Sequence, residues 1–343
     1  MAVVGMMMGL LMMAIQYIRE SARIVHCTSH LAQIGHSLSN HHTAKTHLPH
    51  AVKWKGMGEP LGKGKNPPGT FDYVSLHKGT DKLYSNWIIE ILPFMEEENV
   101  WTMFKRQSPI GDTIHEDARS IDIAVLKCPS DPHNDEDNHF QRDALVKDKG
   151  YARANYGMNG GTNKYCLTNN ADPKKAAACK DGFTVIGQDM EKNTTAIWGS
   201  GIGGLNKTFN FGHFSNGISN TVAVEELMAG SHAIDRRGVW ALGFPSSSIT
   251  ICHKEGPNSN VEDVINGCDE IYAIIGKSTI PCAAGINKHK RATARSHHKD
   301  GVHVLMADGS VHFINDEVES KVWDRMHRRD ARDGDDLIDL NFE

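Results

Sequence analysis

The chain has 343 residues, enough for one large domain or two ordinary ones with a sizeable core, and this excludes a disordered polymer. Lys+Arg 37 against Asp+Glu 42 give a net charge of −5, so no cationic surplus exists to neutralise a nucleic-acid backbone. A mean hydropathy of −0.42 with 23% charged residues excludes a protein that crosses a bilayer many times.

The first segment, MAVVGMMMGLLMMAI, runs from Met1 to Ile15 without a charge. As a helix it is about 22 Å long, or about 27 Å with Tyr17 and Ile18, which is marginal for a bilayer core. Residues 1–18 are therefore expected to form a membrane anchor or a filament core. A secretory signal peptide is the rival reading, but no basic segment precedes the run and no Ala-x-Ala site follows it. A buried core helix is the third alternative. Beyond Gln16 the pattern becomes one-sided. Ile24, Cys27, Leu31, Ile34 and Leu38 recur at 3-4-3-4 spacing, the stripe of an amphipathic helix. One long rod is expected, apolar all round at first and then packed along one face onto a globular domain covering residues 19–343. Cys27 sits on that stripe and points at the body.

Seven histidines lie between His26 and His50, and His26 and His30 are one turn apart. Such a pair chelates a transition metal when a third ligand arrives, although solvated surface histidines are the plainer reading. A Gly/Lys/Pro loop covers Lys53 to Gly69. WIIEILPFMEEENVWTMFK then has helical spacing from Trp87 to Phe104, and Pro93 is expected to split it and open the second helix. IDIAVLKC, from Ile121, reads as a strand stopped by CPSDP. Further strands are expected at Thr221–Leu227 and Gly238–Leu242, joined by glycine-rich connections. GVHVLMADGSVHFIN carries Asp308-Gly309 between two alternating runs, so a β-hairpin spanning 301–315 with a two-residue turn is expected. That turn sets Met306 opposite Val311 and Val304 opposite Phe313, with His303 and His312 on the other face.

None of the seven cysteines forms a Cys-x-x-Cys pair, so disulfides in an oxidising compartment are their plainest use. Cys166 with Cys179, and one pairing among Cys252, Cys268 and Cys282, would close short loops, while the odd count leaves at least one thiol over. For catalysis, His297 and His298 precede Asp308, but the intervening strand covers about 20 Å and keeps its two ends apart. No nucleophile elbow, P-loop, His-Glu-x-x-His or zinc-deaminase signature occurs. Asp131, Asp135 and Asp137, and Asp330, Asp333, Asp335 and Asp336, are oxygen-ligand clusters suited to Ca²⁺. Neither has the order of a known calcium loop; solvated loops are the plainer reading, and no cofactor is assigned.

Taken together, these blocks resemble a bacterial family of pilin-like proteins defined by a prepilin-type N-terminal segment and a C-terminal His-x9-Asp-Gly motif. The domain of that family has no assigned biochemical activity. The rod matches at Gln16, Arg19-Glu20, Cys27 and Leu31 to Gly35. NWIIEILPFMEEENVW, LKCPSDP, ANYGMNGG, SNTVAVEEL and RRGVWALG follow in the family's order, and His298 with Asp308 and Gly309 closes it. The resemblance implies an α+β fold in which a long N-terminal helix packs on an antiparallel β-sheet with large loop insertions, as in pilins and type II secretion pseudopilins. It also implies a Cys27–Cys128 disulfide. The sequence departs from the family at its start. Gly5 matches a glycine inside the apolar segment, the Gly-Phe-Thr-Leu-Val-Glu cleavage junction is absent, and Met13 stands where proline is usual. The expected role is a non-enzymatic cell-envelope protein, inner-membrane anchored with its body in the periplasm or outside. It would self-associate or bind membrane through the helix, alongside a secretion or pilus-assembly machinery. The alternative is an anchored binding module for a glycan, metal or protein, for which a closed pocket lined by residues such as Trp198 and Trp240 would be the sign. An extracellular hydrolase would need carboxylates or histidines converging on one point.

Overall fold

The computed structural model describes residues 2–54, 83–141, 149–162, 184–189, 194–198, 201–204, 208–252, 255–265, 268–276, 280–284 and 292–330. Its first element, α1 (Ala2–Lys45), is a single helix of 44 residues, about 66 Å long. No proline interrupts it, and methionine, leucine and alanine dominate its opening turns, all good helix formers. It ends where Thr46 turns left-handed at φ 66° and its N–H reaches back to the His42 carbonyl. Pro49 follows, and His42 and Lys45 complement the negative end of the dipole.

The two halves of α1 meet different surroundings. Met6 to Ile18 is exposed all round, its large apolar side chains lying between 52% and 77% accessible. Cys27, Leu31, Ile34 and Leu38 are buried against the body, and Ile24 is half-buried. Among the described residues no helix is long and apolar enough to cross a membrane.

The fold is α+β. Strands β1 (Val52–Trp54) and β2 (Leu83–Asn86) pair antiparallel. Asn86 then caps α2 (Trp87–Ile91), its side chain accepting the Ile89 N–H at 3.0 Å. Pro93 lies in a 3₁₀ turn, Leu92–Phe94, and the next helix, α3 (Glu98–Met103), opens only after Glu96 has turned left-handed at φ 63°. The proline thus breaks the helix, as its missing donor dictates, but does not start the second one. A short α4 (Glu116–Arg119) follows. IDIAVLKC is not a strand: Ala124–Leu126 is a 3₁₀ turn that buries Ile123 and Leu126 at a spacing of three. A short apolar run is ambiguous between the two periods, and here packing against α1 decides it.

The central sheet contains β3 (Tyr156–Asn159), β6 (Val222–Glu226), β7 (Ile249–Thr250), β10 (Gly301–Met306) and β11 (Val311–Asn315), in the order β11-β10-β6-β3-β7. It is mixed rather than purely antiparallel, because β7 runs parallel to β3. Strands β4 (Thr184–Asp189) and β5 (Thr194–Trp198) form a separate antiparallel pair. β8 (Asp263–Ile265) and β9 (Cys282–Ala284) pair in parallel, with α5 (Cys268–Ile275) between them in sequence. Gly238–Leu242 is not a strand. Val239 makes one bridge to Arg153, and the chain then turns back through a Leu242 N–H to Val239 carbonyl bond.

Alternation along the central strands gives the sheet two dissimilar faces. Val224 and Leu305 join Leu31, Ile34 and Leu38 of α1 in the larger core. Val302, Val304 and Met306 point the other way, against Trp323 and Met326 of α6 (Ser320–Met326). The hairpin register differs from expectation by one residue. Leu305 faces Val311, Val304 faces His312 and His303 faces Phe313, so His303 and His312 lie on opposite faces. The cause is a three-residue loop. Gly309 N–H bonds the Met306 carbonyl, and Gly309 then takes φ 92°, inserting a bulge where a two-residue turn would not. At Gly35 the helix crosses this hairpin so closely that a Cβ would sit 2.8 Å from Leu305 Cδ1.

Candidate functional site

Four chemistry-bearing side chains from four elements meet between α1 and the sheet. Cys27 is brought there by the apolar stripe of α1, and Cys128 by the turn after Leu126. Glu226 ends β6 with its side chain on the α1 face, and His298 precedes β10. One ligand atom from each lies within 4.8 Å of the others, and all four residues are buried. Cys27 and Cys128 are joined in a disulfide. His298 Nε2 lies 3.2 Å from Glu226 Oε1 and 3.5 Å from Cys128 Sγ.

The surrounding groups hold this cluster in place. His298 Nδ1 is 3.0 Å from Glu20 Oε1, and the same oxygen accepts the Ser130 hydroxyl at 2.9 Å. Glu226 Oε2 accepts the His303 N–H at 2.7 Å, and Oε1 is buried facing His298 Nε2 at 3.2 Å. The Cys128 N–H donates to Asn155 Oδ1 at 2.8 Å, and Asn155 Nδ2 donates to Asp131 Oδ2. Burial alone would raise the Glu226 pKa, but hydrogen bonds and charge from His298 and His303 bring it below the usual carboxylate value. Burial likewise opposes the charge on His298, and Glu226 and Glu20 outweigh it, raising its pKa. Glu20, at the solvent edge, is lowered by His298 and Ser130 against its own desolvation.

The other residues singled out from the sequence are placed elsewhere. Asp308 accepts the Ser310 N–H at 2.9 Å and its hydroxyl at 2.7 Å, building the turn that Gly309 completes. It is separated from His298 by the length of β10. Cys268 pairs with Cys282, and Cys252 lies outside both disulfides, correcting its place among the disulfide candidates. The reason is its seat on the opposite face of the sheet, beside the Trp323 carbonyl and His327 rather than another sulfur. Cys166, Cys179, the side chain of Trp198, Asp333, Asp335 and Asp336 lie outside the described residues, as does most of the Lys53–Gly69 loop. His30 Nδ1 is 2.9 Å from the Lys127 carbonyl and fastens the helix to the body. Asp131 is committed to the Ala229 and His133 N–H groups at 2.7 and 2.8 Å. The cysteine, histidine and glutamate cluster is the one potential metal-ligand group among the described residues, so Asp131, Asp135 and Asp137 form no cage, nor do His26 and His30 gain a third ligand. Trp240 is fully buried, with its Nε1–H on the Ile121 carbonyl and its ring edge-on to Phe104, and it belongs to the core rather than to a pocket wall. A cleft beside Gly35, Leu305 and Gly309 holds ≈ 90 Å³, well below the about 300 Å³ at which small-molecule pockets begin.

Sequence reasoning missed Glu226 and the support from Glu20. The signal was present in VAVEE, where two adjacent carboxylates stand in a strand whose five residues are all buried. On alternate faces, each needed a partner. Glu226 finds His298, and Glu225 Oε2 lies 2.8 Å from His327 Nε2 on the far side.

The arrangement defines an α+β domain in which one long N-terminal helix is fastened to a mixed sheet through a buried Cys-Cys-His-Glu cluster. A family described as "Protein of unknown function (DUF1559)" matches residues 16–321, and the chain belongs to that family. No curated protein and no solved structure matches it.

Proposed function

We propose that the protein is a non-enzymatic, pilin-like component of the cell envelope, anchored or assembled through the N-terminal part of α1 with its body outside the cytoplasm. The observation that carries this reading is the division of one unbroken helix. Ten large apolar side chains from Met6 to Ile18 are each more than half exposed, while the stripe from Cys27 to Leu38 is buried in the same chain's body. An apolar surface of this extent, contiguous around a helix, marks a contact with lipid or with other apolar helices. Two disulfides, Cys27–Cys128 and Cys268–Cys282, support an oxidising compartment. In this reading residues 1–18 are the assembly segment and residues 19–343 the displayed domain.

The test uses the full chain and a variant carrying Leu10→Gln, Leu11→Gln and Ile15→Gln. The native protein should float with phospholipid vesicles or sediment as oligomers without them, and the variant should do neither while keeping the same circular dichroism. A native chain that stays monomeric and leaves vesicles unbound would refute the proposal. Flotation without oligomers identifies an anchor, and oligomers without flotation identify an assembly.

A further inference from the structure

We propose that the cluster between α1 and the sheet is a redox-gated zinc site: with the Cys27–Cys128 disulfide reduced, Cys27, Cys128, Glu226 and His298 become the four ligands of one zinc ion. Two thiolates, an imidazole and a carboxylate are a donor set that zinc accepts in a closed, tetrahedral site. The spacing fits. With ordinary zinc–ligand bond lengths, a tetrahedron has a nitrogen–oxygen edge of about 3.3 Å and a nitrogen–sulfur edge of about 3.6 Å. His298 Nε2 lies 3.2 Å from Glu226 Oε1 and 3.5 Å from Cys128 Sγ. The two sulfurs are closer than zinc requires, because they are bonded to each other; as thiolates they would separate to about 3.8 Å.

Two further observations point to a cation rather than to a disulfide with neighbours. Glu226 Oε1 is buried and aimed into the cluster, facing His298 Nε2 at 3.2 Å, and one cation shared between them would bond both atoms. His298 is also oriented as metal-bound histidines are. Nε2 faces the cluster, and Nδ1 is held by the Glu20 carboxylate, itself fixed by Ser130. Glu20 has a side chain 35% exposed and stands at the rim, the side from which reductant and metal would approach.

The chemistry balances with a dithiol as reductant. Its two S–H bonds become its own disulfide, and two electrons and two protons pass to the Cys27 and Cys128 sulfurs as their bond breaks. Zinc then displaces both thiol protons and any proton on His298 Nε2 to solvent. The oxidised protein has no thiolate at the site and does not hold zinc there. This inference does not depend on how α1 assembles.

The experiment compares the full chain as oxidised and after reduction with a dithiol followed by anaerobic desalting, each given zinc or cobalt(II) alone. Reduced protein should retain one zinc at the site and show thiolate-to-cobalt charge-transfer absorption with tetrahedral d–d bands. Oxidised protein should show neither. The Cys27→Ser/Cys128→Ser variant keeps the remaining cysteines and should lose the cobalt spectrum. Glu20→Gln keeps all four ligands and should weaken affinity about 10–100-fold, the usual effect of removing a carboxylate behind a metal-bound histidine. Reduced native protein without zinc, or a cobalt spectrum unchanged in the double variant, would overturn the proposal. Should the double variant fail to fold, Glu226→Gln and Glu20→Gln decide it: weakened binding in both supports the site, and unchanged binding in both removes it.

Discussion

The two observed disulfides close loops of very different length, which makes their removal a quantitative test of what fastens α1. Cys27 and Cys128 are 101 residues apart in sequence, Cys268 and Cys282 only 14. In the chain-entropy treatment, the long link restricts the unfolded chain by about 4.7 kcal/mol and the short one by about 3 kcal/mol. All four sulfurs come from residues at most 4% exposed, so the burial lost on alanine replacement is similar and largely cancels in the comparison. Cys27→Ala/Cys128→Ala should therefore lower stability by about 1.7 kcal/mol more than Cys268→Ala/Cys282→Ala. The assay is guanidinium unfolding of the metal-free, oxidised proteins followed by circular dichroism. Hydrogen exchange should show the loss of protection concentrated in α1 around Cys27. Equal costs for the two variants, or a larger cost for the short loop, would refute the assignment of the long link as the main restraint on the helix.

Within the buried half of α1, Leu31→Ala and Ile34→Ala should each cost about 2–5 kcal/mol, whereas Leu11→Ala, in the exposed half, should leave unfolding within about 0.5 kcal/mol; chemical denaturation measures all three. Gly309→Ala should cost about 1–2 kcal/mol in the same assay, because its φ of 92° is strained for any other residue although nothing lies within 4 Å of the added methyl. For His327, burial opposes the charge, and Cys252 and Glu225 outweigh it, raising the pKa well above its ordinary value. Its stabilisation is therefore complete below the unfolded histidine value of about 6.5 and is lost as pH rises through the higher folded value. His327→Gln should then cost most at acid to neutral pH and least at alkaline pH, read from melting temperatures across the range; a cost that grows with pH would contradict the sign.

The helix stripe was legible in the sequence because a period of 3.6 over many residues has no competing explanation, and Cys27, Leu31, Ile34 and Leu38 are indeed the buried positions. The hairpin was legible as an element, but its register was not. Asp308-Gly309 announces a turn, while the choice between two and three loop residues depends on the bulge at Gly309 and decides which side chains of β11 share a face with those of β10. IDIAVLKC failed for lack of length, since a few apolar residues satisfy strand and 3₁₀ spacing alike. The site was visible only in fragments. Cys27, Cys128 and His298 each attracted notice, but what gathers them is the crossing of α1 over the sheet, and that crossing also selects Glu226 rather than Glu225.

One consequence of the way β10 lies under α1 is mechanical. Its two flanks grip the rod at separate levels, His298 through Glu20 and the Gly309 loop close to Gly35. Together with the cross-link at Cys27, these contacts would pass tension on the exposed tip of the rod into the sheet.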